Sequence, residues 1–391
     1  MTIQLIILLI AAGTIGLFLG WGLSNRVRDK TQNKPDLTGE SKSYLKGLNY
    51  MIARQPDKAI AEFTKLVKLH PDTVEIYLSL GNLFREQGDM ERAIRLHQSI
   101  ILRPNLEQQI KRQALLDLGL DYQKAGLIDR SISTYREIIS QQPEHLLAHQ
   151  QLEKLYEEEK DWEQAYMAQR KILRLTRSKD QSILAHLQVQ LGRVSYEQGQ
   201  IKESLKRLKT AIDLDPSCSE AHLFLGDIYL AQGKLRSAIS VWEGIIQAGL
   251  SFSCLAYAQL EEAYLAQNKY DHIKTIYEGV LAKNPADIRT RLALAKYYQR
   301  LGRLENAREE VKRALKHQPQ SNTVKLYLLE LMMCEAGGKI PEEYRYLFGE
   351  FRLESIPYQC EKCGYHTTDT LWKCPRCREW DTFTDSLSSL K

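Results

Sequence analysis

Four cysteines near the end of the sequence have the spacing of a metal site. Cys360-Glu-Lys-Cys363 and Cys374-Pro-Arg-Cys377 are two pairs with a two-residue gap in each, and ten residues separate the pairs. That gap lets both sulfurs of a turn face one ion. The backbone amides after the first cysteine then point at sulfur and stabilise thiolate charge. Two such turns make a closed tetrahedral site, which suits zinc or iron. With every position filled by protein, none is left for a substrate. The expected role is structural, with electron transfer as the alternative. A thioredoxin-type redox pair does not fit, because there are two pairs and no βαβ setting. Tyr365 to Lys373 is short and β-prone, as in a zinc-ribbon or rubredoxin-like hairpin, with Trp372, Trp380 and Phe383 expected to cover the site. A module of about 30 residues buries too little apolar surface to fold alone, so metal binding would drive its folding.

Little else in the chain has the residue types and spacing of chemistry. His145 and His149 lie one helical turn apart but have no apparent carboxylate partner, and read as helix surface. There is no Gly-rich phosphate loop, nucleophile elbow or His-Glu-x-x-His, so no catalytic residue is assigned and a non-enzyme is expected. Cys218, Cys254 and Cys334 stand singly in apolar surroundings and read as small core residues. Seven cysteines without a disulfide framework point to a reducing, cytosolic compartment. A formal charge of +5 spread over 391 residues argues against nucleic acid as a partner.

What positions the cysteines is a long repeated stretch. Gly47 to Gly81 and Gly192 to Gly226 each span 34 residues, and Tyr50 to Phe84 and Ala59 to Ala93 keep the same interval. A 34-residue period of small, aromatic and proline positions is the signature of tetratricopeptide repeats. The small residue (Gly47, Gly81, Gly119, Gly192, Gly226, Ala295) admits the second helix closely. An aromatic follows three residues later in most copies, such as Phe84, Tyr122, Tyr156 and Tyr229, on the same helix face. Next comes a turn residue, Gly88, Gly126, Gly199, Gly233, Asn268 or Gly302, where a helix end favours positive φ. Eight units are expected, starting near Ser43, Tyr77, Leu115, His149, Gln188, His222, Tyr257 and Arg291, with Val324 to Glu335 as a capping helix. Extra residues around Pro104–Gln113 and Arg177–Ser182 read as longer inter-repeat loops.

Residues 3–23 are nearly continuous apolar sequence without charge. As a helix they would rise about 31 Å, matching a hydrocarbon core of ~30 Å. Arg26, Arg28, Lys30 and Lys34 follow the run and nothing basic precedes it, which by the positive-inside bias places the bulk of the chain on the cytoplasmic side. Ala12, Gly16 and Gly20 form a small-residue stripe suited to packing another membrane helix. The expected organisation is a membrane anchor at 1–24, a linker at 25–42, the array at 43–335, a connecting helix at 336–356 and the metal module at 357–391. The fold class is all-α: a tetratricopeptide-repeat superhelix with an N-terminal transmembrane helix and a small C-terminal rubredoxin-like or zinc-ribbon module with four cysteines. The connecting helix is read from Tyr344, Leu347, Phe348 and Phe351 on one face, and is expected to pack on the last repeat. The module is expected to fix the array's end. Such arrays bind partner segments in the groove lined by their first helices. Asn82, Arg85, Arg193, Tyr196, Lys296 and Arg300 are the candidate partner-binding residues there.

Anchor, array and four-cysteine module together resemble the bacterial lipopolysaccharide assembly protein B family, over the whole chain. The resemblance is carried most specifically by Leu80-Gly-Asn-Leu-Phe-Arg-Glu-Gln-Gly88 running into Arg92-Ala-Ile-Arg-Leu-His-Gln98. Tyr358-Gln-Cys-Glu-Lys-Cys-Gly-Tyr365 and Leu371-Trp-Lys-Cys-Pro-Arg-Cys377 agree with it. It implies an inner-membrane, single-pass, cytoplasm-facing adaptor. Such an adaptor restrains lipopolysaccharide synthesis by promoting breakdown of the committed-step deacetylase of lipid A synthesis. The implied partners are that deacetylase and a membrane-bound ATP-dependent zinc metalloprotease. The family's metal ligands correspond to Cys360, Cys363, Cys374 and Cys377, with a rubredoxin-type iron implied beside the zinc option. The alternatives are a scaffold that gathers lipopolysaccharide synthesis or export proteins at the membrane, and a rubredoxin-like electron carrier.

Overall fold

The computed structural model describes residues 39–69, 73–335 and 358–385. The expected anchor, with Ala12, Gly16 and Gly20, lies outside the described residues, as do most of the linker and the connecting helix. Among the described residues no helix is long and apolar enough to cross a membrane. The chain divides into two compact units, one ending at Ala148 and one beginning at His149.

The first unit holds α1 (Gly39–Ile52), α2 (Pro56–Leu69), α3 (Val74–Glu86), α4 (Met90–Ile101), α5 (Gln108–Lys124) and α6 (Ile128–Gln141), and α7 (Leu146–Glu158) begins in it. The second holds α8 (Trp162–Thr176), α9 (Ser182–Glu197), α10 (Ile201–Leu214), α11 (Ser219–Ala231), α12 (Leu235–Ala248), α13 (Tyr257–Ala266), α14 (Asp271–Lys283), α15 (Ile288–Arg300), α16 (Leu304–His317) and α17 (Asn322–Glu335). It ends in three short strands, β1 (Tyr358–Cys360), β2 (His366–Thr367) and β3 (Phe383–Asp385). These form an antiparallel sheet in the order β2-β1-β3. The helices alternate as first and second members of tetratricopeptide hairpins. α1 is already helical from Gly39, ahead of the expected start at Ser43. The extra residues near Pro104 do not make a long loop. Most of them lengthen α5 at its start, giving the chain's longest described helix at 17 residues.

One steric rule recurs within the hairpins. Each small residue on a first helix is faced by the residue sixteen positions later on the second. A Cβ built on Gly81 would lie 2.4 Å from His97 Nε2, one on Gly119 2.6 Å from Tyr135, and one on Gly226 2.2 Å from Trp242 Nε1. Phe63 faces Gly47 in the same way at 2.8 Å, while Leu208 faces Gly192 more loosely, at 3.4 Å. The glycine lets the second helix lay a large side chain directly on the first helix's backbone. Phe63, Tyr135 and Trp242 are fully buried as a result.

The turn between the two helices also repeats. Gly88, Gly126, Gly199, Gly233 and Gly302 have φ between 71° and 81°. Arg54 and Lys160 take the left-handed position in repeats one and four, at φ 54° and 58°, although nothing in their type favours it. The following amide then reaches back to the carbonyl of the repeat's aromatic position, as from Asp89 to Phe84 at 2.9 Å and from Leu127 to Tyr122 at 2.8 Å. This is the Schellman closure of a helix end.

Two glycine substitutions test the rule in opposite directions. Gly226→Ala forces a methyl into the Trp242 ring and should destabilise by roughly 1–3 kcal/mol. Gly279, in the middle of α14, has nothing within 4 Å of a built Cβ. Gly279→Ala should stabilise by about 0.5–1 kcal/mol by restricting the unfolded chain. Chemical denaturation of the two variants beside the parent protein reads both signs.

Candidate metal centre and its docking face

The two cysteine knuckles have the same backbone construction. In the first, the Gly364 amide donates to Cys360 O and the Cys360 amide to Tyr365 O, each at 2.8 Å. In the second, Arg378 donates to Cys374 O at 2.8 Å and Cys374 to Glu379 O at 2.9 Å. Gly364 and Arg378 occupy the same left-handed step, at φ 69° and 61°. The sulfurs converge as a result. Cys360 and Cys377 are 3.6 Å apart, as are Cys363 and Cys374, and all four lie within 4.8 Å of one another. Sulfurs bound tetrahedrally at about 2.3 Å from an ion sit roughly 3.8 Å apart, so the spacing fits one ion.

The surrounding donors favour thiolates. Burial works against ionisation of Cys360, but the Thr382 hydroxyl at 3.2 Å and the amides of Cys363 and Lys362 outweigh it, bringing its pKa down to about 6. Burial pushes Cys377 up to about 12, reinforced by the neighbouring sulfurs, and Cys363 is also raised. Four sulfurs this close hold four negative charges only around a cation. Cys360, Cys363, Cys374 and Cys377 are therefore the residues that would hold zinc or iron, with no position left open. Phe383 packs with Tyr358, Cys360 and Cys374 in the ribbon's core, where it covers the sulfurs.

Trp372 and Trp380 do something the sequence reading missed: they face the helices. Trp380 stacks on His186 of α9 at 4.7 Å and 16°, and its indole N–H donates to Glu157 of α7 at 2.9 Å. Trp372 meets Phe252 edge-on at 5.2 Å. Phe252 sits in the loop and 3-10 turn that precede α13, in the left-handed region at φ 60°. Arg289 of α15 lies over the Tyr358 ring at 5.1 Å. Lys373 pairs with Glu157, and Arg378 with Glu158. The ribbon therefore lies back across α7, α9 and α15. This corrects the expectation that it fixes the array's end.

His186 is the centre of this contact. Its Nδ1 is 2.8 Å from Glu220 of α11, and its Nε2 is 2.6 Å from Asp381 of the ribbon. Burial alone would lower its pKa, but the two carboxylates overcome this and raise it to about 9. Glu220 is buried and also accepts from Gln190 and Arg193. On α7, burial and the adjacent Glu157 raise the pKa of Glu153 to about 8, while Lys373 and Lys154 pull the other way.

The candidate groove residues are mostly engaged within the chain. Arg85 bonds Asp121 at 2.9 Å, Asp117 at 3.3 Å and Asn82 at 2.6 Å. With its side chain 16% exposed, this guanidinium is spent on the next repeat and is not free for a partner. Asp121 also holds the buried His97 at 2.5 Å. Arg193 ties to Glu220 at 3.2 Å and lies over Phe224, against which Tyr196 packs edge-on. Arg300 reaches Glu261 at 2.6 Å and keeps one edge exposed. Lys296 is exposed. His145 accepts the Ala148 amide at 3.2 Å at the start of α7, and His149 is buried.

The fold and the site together define a tetratricopeptide-repeat protein with a rubredoxin-type metal ribbon docked on its first helices. The rubredoxin metal binding domain family matches residues 358–385, and tetratricopeptide-repeat families match 44–105, 113–145, 192–239 and 264–327. The chain is a homologue of lipopolysaccharide assembly protein B across nearly its whole length. It is 27% identical to the Escherichia coli (strain K12) protein over 93% of this chain and 94% of that one. It is 26% identical to the Haemophilus influenzae protein over 97% of each. A solved tetratricopeptide repeat protein from Parabacteroides merdae matches 75% of this chain and 98% of its own, with 15% identity and a TM-score of 0.36.

Three outcomes test the docking and the metal site. His186→Ala leaves Glu220 buried with only Arg193 and Gln190, and should weaken ribbon docking by about 3 kcal/mol. A raised histidine pKa stabilises fully below its unfolded value near 6.5 and stops stabilising as pH rises through about 9. The raised Glu153 pKa acts in the same direction, because deprotonation toward pH 8 costs more in the folded state. Protection of the ribbon from protease should therefore fall between about pH 6.5 and 9 in the parent, and fall less in His186→Ala. Cys374→Ser should abolish bound metal in elemental analysis and expose the ribbon to protease, while helical circular dichroism persists.

Proposed function

We propose that the chain is a membrane-tethered adaptor in lipopolysaccharide assembly that performs no bond chemistry of its own. The observation that carries this reading is end-to-end similarity to lipopolysaccharide assembly protein B in a chain whose metal site is closed and bound into the array. A closed sulfur site offers a fixed surface and no substrate position. The uncharged run at 3–23 and the basic residues after it support a single-pass anchor in the inner membrane, with the array on the cytoplasmic side.

The finer reading comes from the family resemblance. The adaptor brings the committed-step deacetylase of lipid A synthesis to a membrane-bound ATP-dependent zinc metalloprotease. The array holds one of the two, and the anchor keeps the complex beside the protease. Lys296 and the exposed edge of Arg300 on α15 are the groove positions left for a partner.

Depletion of the protein in cells should lengthen the deacetylase half-life several-fold and raise lipopolysaccharide output. An unchanged half-life, with synthesis enzymes but no protease co-purifying, would instead support a scaffold. Bound zinc would exclude an electron-carrier role, since zinc does not cycle between redox states.

A further inference from the structure

α1 opens the array, and the end repeats of a stacked array need a polar outer face. The outer face of α1 is mixed. Lys42, Leu45, Lys46, Asn49 and Ile52 recur at three- and four-residue spacing and share one side of the helix. All five are exposed, Leu45 at 43% and Ile52 at 82%. Lysines of α2 join them. Lys46 and Lys58 flank the Tyr50 ring, with ammonium-to-centroid distances of 5.8 and 5.7 Å. Lys65 and Lys68 continue along the exposed side of α2.

The charge is one-sided. Over residues 42–69, Lys42, Lys46, Arg54, Lys58, Lys65 and Lys68 stand against Asp57 and Glu62. Glu62 is bonded to Lys46 at 2.6 Å. In the next hairpin, Arg85, Arg92, Arg95 and Arg103 are balanced by Glu75, Glu86, Asp89 and Glu91.

We propose that this face of α1, with the adjoining lysines of α2, rests on an anionic bilayer surface, with Leu45 and Ile52 entering the headgroup boundary. Apolar residues set among lysines on one helix face are the pattern of a helix lying in an interface. The charge sign matches anionic headgroups, and the stretch before α1 has the same net sign, with Arg26, Arg28, Lys30 and Lys34 against Asp29 and Asp36. The proposal rests on the anchor read in residues 3–23, because residues 25–38 then reach at most about 50 Å from the bilayer. The contact would fix how the first hairpin stands on the membrane.

The test places the photocrosslinker p-benzoylphenylalanine at Ile52 in the full chain. The chain is reconstituted in phosphatidylcholine discs with or without phosphatidylglycerol. Irradiation should give lipid adducts in the anionic discs, about fivefold fewer with Lys42→Gln or Lys46→Gln, and few in phosphatidylcholine alone. The same group at Leu301, an exposed turn residue, is the control and should give none. Adducts confined to the protein's own chain, or lipid adducts indifferent to lipid charge, would overturn the proposal. The anchor is read separately, by alkaline extraction of membranes. If the chain is released, sedimentation with phosphatidylglycerol vesicles decides: pelleting weakened by Lys42→Gln supports the face, and no pelleting ends it.

Discussion

In four of the eight hairpins the close fit depends on a missing methyl group. Where the first helix carries glycine, the second can set a ring against bare backbone, and the two axes come together at a fixed depth. Glycine inside a helix costs about 1 kcal/mol relative to alanine. Burial of one large side chain, at about 1.5–3 kcal/mol, offsets that. The fit is steric more than chemical, since His97, Tyr135 and Trp242 each bury a polar atom without a hydrogen-bond partner. A rule that depends on shape alone tolerates phenylalanine, histidine, tyrosine, leucine or tryptophan at the same site. Repeats with little sequence in common therefore still stack.

Repeats four and seven depart from this rule, and both departures are polar. Position 153 carries glutamate in place of the small residue, as does position 261. Glu261 accepts from Tyr277, which stands sixteen residues later, at 2.7 Å, and from Arg300 two helices on. Glu153 sits one turn before Glu157 on α7, in the helix that receives Lys373 and Trp380. The ribbon covers these carboxylates and supplies a cation and an indole N–H to Glu157 as it does so. Array and ribbon in the second unit are thus joined by charges that neither part satisfies alone.

Much of this was legible in the residues themselves. Two Cys-x-x-Cys pairs specify a convergent sulfur site because the geometry is local to each turn. A 34-residue recurrence of glycine, aromatic and turn residue specifies hairpins for the same reason. The failures concern partners distant in sequence. Arg85 looked free because its acceptors, Asp117 and Asp121, lie on a later first helix. Arg54 and Lys160 gave no sign of a left-handed turn, since only their place in the repeat requires it. The ribbon's resting place was hidden because Trp380 and Glu157 are neighbours only in space. One signal was available: glutamate at 153 and 261 stands where most copies hold a small residue, and each takes a cation from beyond its own hairpin, Lys373 for Glu153 and Arg300 for Glu261.

The contact between Glu157 and Trp380 spans 223 residues, while each hairpin closes over a few tens. A ribosome adding roughly 5–20 residues per second would release α7 about ten to forty seconds before the cysteine turns emerge. Through that interval the helices can pair locally as they appear, and the acidic pocket around Glu153 and Glu157 stands open to water. The last segment synthesised is the one that seals it, so a chain truncated near its end would keep its helices and lose the cover over that pocket.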